Sequence, residues 1–215
     1  MEFMKVRLTF TEEVLGTASN NPEIHSEFIA SKAPDAQSME EEIAAIGTGA
    51  VEEKSITVFP KLDDYTPFMW DYQIKGFFKD TCSSLRKVSG TDSSKIKAYK
   101  KEIDGLIFIF PRKIPFENYG GVIGECQRPL RGQTAQGERI ALAHSETVQA
   151  GSQITFTVKC LVDAQMKMVR EWLDYGEMRG LGQWRNSGKG RFVWDELDDD
   201  GNVIGGNNEF VKGKK

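Results

Sequence analysis

Cysteine is scarce in this chain. Cys82, Cys126 and Cys160 are all it has in 215 residues, far apart and without a C-x-x-C, and only His25 and His144 could join them. This argues against a disulfide framework and against a zinc site, so neither metal nor cofactor is expected. No apolar run approaches membrane-spanning length. The N-terminus lacks the basic-then-apolar pattern of a signal peptide, so a cytoplasmic protein without a membrane partner is expected. A phosphate-binding P-loop is also missing: Gln183 stands where its first glycine belongs, Gly190 follows Lys189, and the surrounding elements come in the reverse order. Asp198-Asp199-Asp200-Gly201-Asn202 is not a calcium loop, because Asn207 stands where the closing glutamate is needed. It reads as an Asp-Gly turn before a Lys-terminated tail.

What is present is an ordinary globular composition, 39% hydrophobic and 28% charged, with a formal net charge of −4. Acid gathers in the N-terminal part (Glu23 to Glu53) and at Asp195 to Asp200. Base gathers from Lys75 to Lys101, from Arg112 to Arg139, and in the run from Arg179 to Arg191. A local basic surface is therefore compatible with an acidic total.

That last run, Arg179-Gly180-Leu181-Gly182-Gln183-Trp184-Arg185-Asn186-Ser187-Gly188-Lys189-Gly190-Arg191, sets two G-x-G pairs five residues apart between a helical and a strand pattern. Its glycines let the backbone press close to another group, and its cations suit a polyanion. The alternative is a Gly-rich connection that only turns the chain. Trp184 either stacks a base or packs as a lid over the core edge.

Met4 to Phe10 alternates as a half-buried strand with Lys5, Arg7 and Thr9 outward. Short helices are expected from Pro22 to about Ser31 and after Ser38, and a short strand from Ser55 to Phe59. From Asp71, as cap, to Val88 the pattern Ile74, Phe77, Phe78, Cys82, Leu85 is helical, with Lys75, Lys79, Arg86 and Lys87 on the other face. Gly76 inside that helix suggests a close neighbour at its backbone. A lysine-rich stretch, Ser94 to Lys101, precedes Leu106 to Phe110, which suits a central strand buried on both faces. Arg112 to Gly137 reads as a protruding loop or irregular hairpin. Arg139 to Glu146, with Ile140, Leu142 and His144 of one parity, and Gln153 to Cys160 are expected to pair around Ala150-Gly151-Ser152. A second helix spans Asp163 to Tyr175, stopped by Gly176, and Arg191 to Leu197 is the last strand.

The order is βαββαβ, an α+β, ferredoxin-like (RRM-like) core. It would occupy residues 1–197, with insertions over 11–70 and 111–150, followed by a hairpin and flexible tail over 198–215.

On three segments the chain resembles the RAMP superfamily of CRISPR-associated RNA-binding proteins, in particular the repeated backbone subunits of effector complexes. The first strand followed by Glu13-Val14-Leu15-Gly16-Thr17 looks like the family's opening strand and hydrophobic-Gly turn. Ile74-Lys75-Gly76-Phe77-Phe78-Lys79 resembles its hydrophobic-Lys-Gly segment. Gly180 to Gly190 resembles its G-x-G-x5-G-x-G signature. The resemblance implies that Arg112 to Gly137 is a thumb-like insertion. It also implies no RNA slicing, since Gly16 to Pro22 lacks the aspartate of slicing subunits. The chain further resembles stand-alone proteins encoded in phages and prophages.

The expected function is non-catalytic binding of single-stranded RNA or another nucleic acid. The expected interface comprises Arg7, Lys75, Gly76, Lys79, Arg128, Arg131, Gly180, Gly182, Trp184, Arg185, Gly188, Lys189, Gly190 and Arg191. One alternative is a metal-independent endoribonuclease with His25 as base and Lys32 stabilising charge. The other is a protein that binds or caps a host effector complex, or joins other RAMP-type subunits.

Overall fold

The computed structural model describes residues 1–19, 56–134 and 137–208, and gives only the backbone of residues 130–134 and 137–141. The short helices expected near Pro22 and Ser38 lie outside the described residues, as does the tail beyond 208. The chain begins with β1 (Glu2–Phe10), β2 (Val14–Leu15), β3 (Ala18–Ser19), β4 (Thr57–Val58) and β5 (Phe68–Trp70). Then come α1 (Asp71–Leu85), a 3-10 turn (Asp92–Lys95), α2 (Tyr99–Leu106), β6 (Ile107–Phe110) and β7 (Lys113–Glu117). The hairpin strands β8 (Gly124–Thr134) and β9 (Gly137–Val148) precede β10 (Gln153–Cys160), α3 (Asp163–Asp174) and the one-turn α4 (Gly176–Arg179). A 3-10 turn (Arg185–Ser187) leads to β11 (Phe192–Leu197) and β12 (Val203–Gly206).

The result is a mixed α+β fold with two sheets. The larger runs β12-β11-β1-β10-β7-β5, with β6 also on β10; the smaller runs β2-β9-β4-β3, with β8 on β9. Alternation in β1 buries Met4, Val6, Leu8 and Phe10 on one face. Against that face lie Ile74, Phe77, Phe78 and Cys82 of α1 and Met166, Val169, Trp172 and Leu173 of α3. Each such side chain contributes about 1.5–3 kcal/mol by leaving water. The aromatic rings interlock, Phe78 with Trp172 at 5.4 Å and Phe77 with Phe192 at 5.3 Å between centroids. The buried indole N–H of Trp172 donates to Ser93 Oγ at 2.8 Å, and Glu171 accepts from the Asp92 and Ser93 amides, so the 3-10 turn is pinned to α3.

Several expectations from sequence need correction. Asp71 is the first helical residue of α1 and not its cap; Gln73 Oε1 reaches back to accept the Trp70 amide at 2.7 Å. The helix ends at Leu85, short of Val88. Gly76 has no neighbour within 4 Å of where a Cβ would stand, so close approach does not explain it. The lysine-rich stretch runs into helix α2, which was hidden because Ile103 is its one buried residue. Asp104 of α2 pairs with Lys79 and its carbonyl accepts from Lys75, so part of the basic face of α1 lies against a helix.

β6 is not buried on both faces: Ile107 and Ile109 point into the core while Phe110 is 52% exposed. β9 does not pair with β10. Its partner is β8, in register from Gly124 opposite Thr147 to Thr134 opposite Gly137, and the two strands β9 and β10 belong to different sheets. The parity of β9 is also reversed, with Ala143, Ser145 and Thr147 inward and Leu142 46% exposed. His144 sits half-buried on the outer side, its Nδ1 2.7 Å from Glu125 Oε1. Gly176 starts α4 instead of ending the preceding helix, and a Cβ there would meet the Phe192 ring at 2.2 Å.

Among the described residues no helix is long and apolar enough to cross a membrane. Replacing Ser93 by alanine strands the Trp172 N–H inside the core, and urea unfolding is expected to lose about 1–3 kcal/mol, the cost of a buried unsatisfied donor.

Candidate nucleic-acid interface

The Gly-rich loop begins where α4 ends, at Gly180 (φ +73°), and returns at Gly190. Its two limbs lie on each other. The Leu181 amide donates to the Gly190 carbonyl at 2.8 Å, and a Cβ on Gly190 would stand 1.8 Å from the Leu181 oxygen. The Gly190 amide in turn donates to the Glu13 carbonyl at 2.8 Å, and a Cβ on Gly182 would stand 3.2 Å from the Leu15 oxygen. The G-x-G pairs are thus required for backbone packing onto the turn after β1, with Leu181 buried beneath as a plug. The amides of Gly180, Leu181, Ser187, Gly188 and Gly190 all donate to carbonyls within the protein. An anion held by the loop backbone would have to displace those bonds.

Three of the four cations of the run, Arg179, Arg185 and Lys189, are likewise engaged. Asp80, midway along α1, accepts from Arg179 Nε at 2.7 Å and from Arg185 Nη1 at 2.8 Å. Burial pushes the Asp80 carboxyl up, but its bonds and charge interactions with Arg179 and Arg185 prevail and hold it below the ordinary aspartate range. Lys189 pairs with Glu13, whose carboxylate raises the lysine's pKa. The loop therefore lies against β2 and the middle of α1, on the helix-covered side of the larger sheet.

Trp184 takes a left-handed conformation (φ +54°) and is 38% exposed. The β8–β9 hairpin reaches it: the Arg128 guanidinium lies 4.9 Å from the centre of the indole, and Arg128 Nη2 donates to Gln183 Oε1 at 3.1 Å. Arg128 Nε and Nη1 are buried without a hydrogen-bond partner. Such an arrangement costs stability unless an acceptor arrives. On the same strand Cys126, half-buried, stands opposite Ser145.

Of the residues expected to form one interface, Gly180, Gly182, Trp184, Arg185, Gly188, Lys189, Gly190, Arg191 and Arg128 come together. Arg191 is exposed beside Gly188, its Cζ 3.5 Å from that residue's Cβ position. Arg7 does not join them. It lies on the opposite face of the larger sheet, 2.9 Å from buried Asp195. Lys75, Gly76 and Lys79 lie toward α2. Arg131 belongs to β8 by its backbone alone, and His25 and Lys32 lie outside the described residues. Sequence reasoning missed Asp80 and Glu13, which decide what the loop cations do. The only sequence signal was an acid between Lys79 and Arg86 on an otherwise basic helix face. Among the described residues no group of three His, Cys, Asp or Glu could hold a metal ion.

Because the Asp80 carboxyl is held low, its clamp is complete above the ordinary aspartate range and is lost as pH falls through the lowered value. Asp80→Ala is expected to cost about 1–2 kcal/mol after solvent screening. It should speed hydrogen exchange of the Leu181 and Gly190 amides and flatten the acid limb of the stability profile. No protein-family model matches this chain, and no curated protein matches it. Among solved structures it is similar to a chain in the cryo-EM structure of the Type III-B Cmr-beta bound to cognate target RNA. The two are 13% identical with a TM-score of 0.49, and the match covers 89% of this chain and 58% of that one.

Proposed function

We propose that this protein binds single-stranded RNA, as a RAMP-type module, at the place where the β8–β9 hairpin meets the Gly-rich loop. The observation that carries the proposal is Arg128 lying over Trp184 with two of its buried N–H-bearing nitrogens unpartnered. A cation short of acceptors, stacked on a part-exposed indole, matches what a nucleotide offers: a phosphate or base edge for the guanidinium and a π-face for the ring.

The strand arrangement supports a ferredoxin-like core over residues 1–197. Taking β1, the β6–β7 pair, β10 and β11 as first to fourth, they lie in the order fourth, first, third, second, with antiparallel neighbours. The hairpin lies between the second and third strands and overlaps the expected thumb-like segment, Arg112 to Gly137, in its later half only, because β7 is a strand of the larger sheet. Phosphate contacts then fall to Arg128 and Arg191, while Arg179, Arg185 and Lys189 hold the loop in shape through their carboxylates.

Trp184→Ala and Arg128→Ala are each expected to weaken binding of an unstructured RNA by about fivefold or more, the effect of losing ~1 kcal/mol of stacking. Fluorescence anisotropy measures this. In the same assay Glu13→Gln, which releases Lys189, is expected to strengthen binding at low salt. Binding that Trp184→Ala and Arg128→Ala both leave unchanged would reject this interface.

A further inference from the structure

The opposite face of the larger sheet, away from α1 and α3, carries aromatic rings and cations in alternation. Phe3 stands opposite Lys159, whose Nζ lies 5.0 Å from the ring centre, and Lys159 stands opposite Phe108 on the next strand. One step along, Lys5 faces Thr157, which faces Phe110. Phe3 is 64% exposed and Phe110 52%. Beyond the turn after β6, Lys113 Nζ lies 5.5 Å from the Phe68 ring and 5.9 Å from that of Trp70, whose indole nitrogen is buried without a partner. Arg112 also lies over Trp70, at 5.6 Å.

The charge of this face is divided: the Asp198-Asp199-Asp200 turn follows Leu197, which stands opposite Lys5, so acid flanks the β11 side, while Lys159 and Lys113 lie on the β10 and β7 side. Asp195 is 1% exposed and tied to Arg7, and Glu117 lies at the far end, opposite Gln153.

We infer that this face is a second binding surface for single-stranded RNA, a platform on which Phe3 and Phe110 each stack a base while Lys5, Lys159 and Lys113 meet phosphates. It rests on the reading that the chain binds RNA, but uses none of the residues of the loop and hairpin. Two strand spacings and two residues along a strand separate the rings by about 12 Å, far more than the ~3.4 Å step of stacked bases. The rings therefore suit splayed bases taken one at a time, which a duplex does not offer. Rings interleaved with lysines, in place of one continuous apolar patch, fit a polyanion better than a protein partner.

The test uses the full chain, an oligouridine long enough to reach both surfaces, and a 5-iodouracil version for photo-crosslinking. Phe3→Ala with Phe110→Ala, both exposed positions, is expected to weaken binding about thirtyfold, or ~2 kcal/mol. Lys5→Ala with Lys159→Ala should lower the salt slope by about 1.4, at ~0.7 per phosphate contact on a single strand. Crosslinks should map to peptides containing Phe3 or Phe110. Wild-type binding that depends on Trp184 while both double variants bind and crosslink as wild type would overturn this inference alone and leave the face to a protein partner. No binding by the wild-type chain would overturn both readings.

Discussion

The seating of the Gly-rich loop on the turn after β1 joins the two halves of this structure. Gly190 presents its amide to the Glu13 carbonyl and its bare α-carbon to the Leu181 oxygen, so the loop, β2 and the start of β11 form one packed unit. β2 is a strand of the smaller sheet, and β11 of the larger. The loop thus touches a strand of each sheet, and its Trp184 meets Arg128 of the hairpin. Asp80 adds the third side, tethering the end of α4 and the middle of the loop to α1 through Arg179 and Arg185.

Around the Gly-rich loop and the middle of α1, charge is largely spent at short range. Arg179, Arg185 and Lys189 of the loop region, together with Arg7, Lys79 and Arg170, all have carboxylates within contact distance. Counting basic residues along the sequence therefore overstates the field offered to a polyanion, because each pair falls off within a few ångströms. Cations resting on aromatic rings, such as Arg128, Lys113 and Lys159, remain effective, because a π-face holds the charge without cancelling it.

Most of the larger sheet was legible in the sequence because its elements are half-buried and amphipathic. β1, β10, α1 and α3 each show their period over enough residues to be read, and the boundaries of β10 follow from its alternation alone. Legibility failed where burial is sparse. Helix α2 buries one side chain and leaves no period. The hairpin's inward face is lined by Ala143, Ser145 and Thr147, small and polar residues that a hydrophobic pattern assigns outward. The glycine motif was visible, but its reason lay in backbone contacts between residues over 160 positions apart, such as Glu13 and Gly190. The aromatic platform escaped notice because its residues come from strands that the chain visits far apart, β1, β5, β6 and β10.

The three thiols of this chain have unequal chemical standing. Cys82 and Cys160 are sealed in the core, and burial pushes both thiols up to about 11, so neither supplies appreciable thiolate at neutral pH. Cys126 is half-buried on β8, two residues from Arg128. The fold has in effect silenced two of its sulfurs and left the third on the hairpin, next to the cation that covers Trp184. A maleimide dye added to the native protein would thus find one address, without mutagenesis, on the element whose approach to the loop defines the mouth between them.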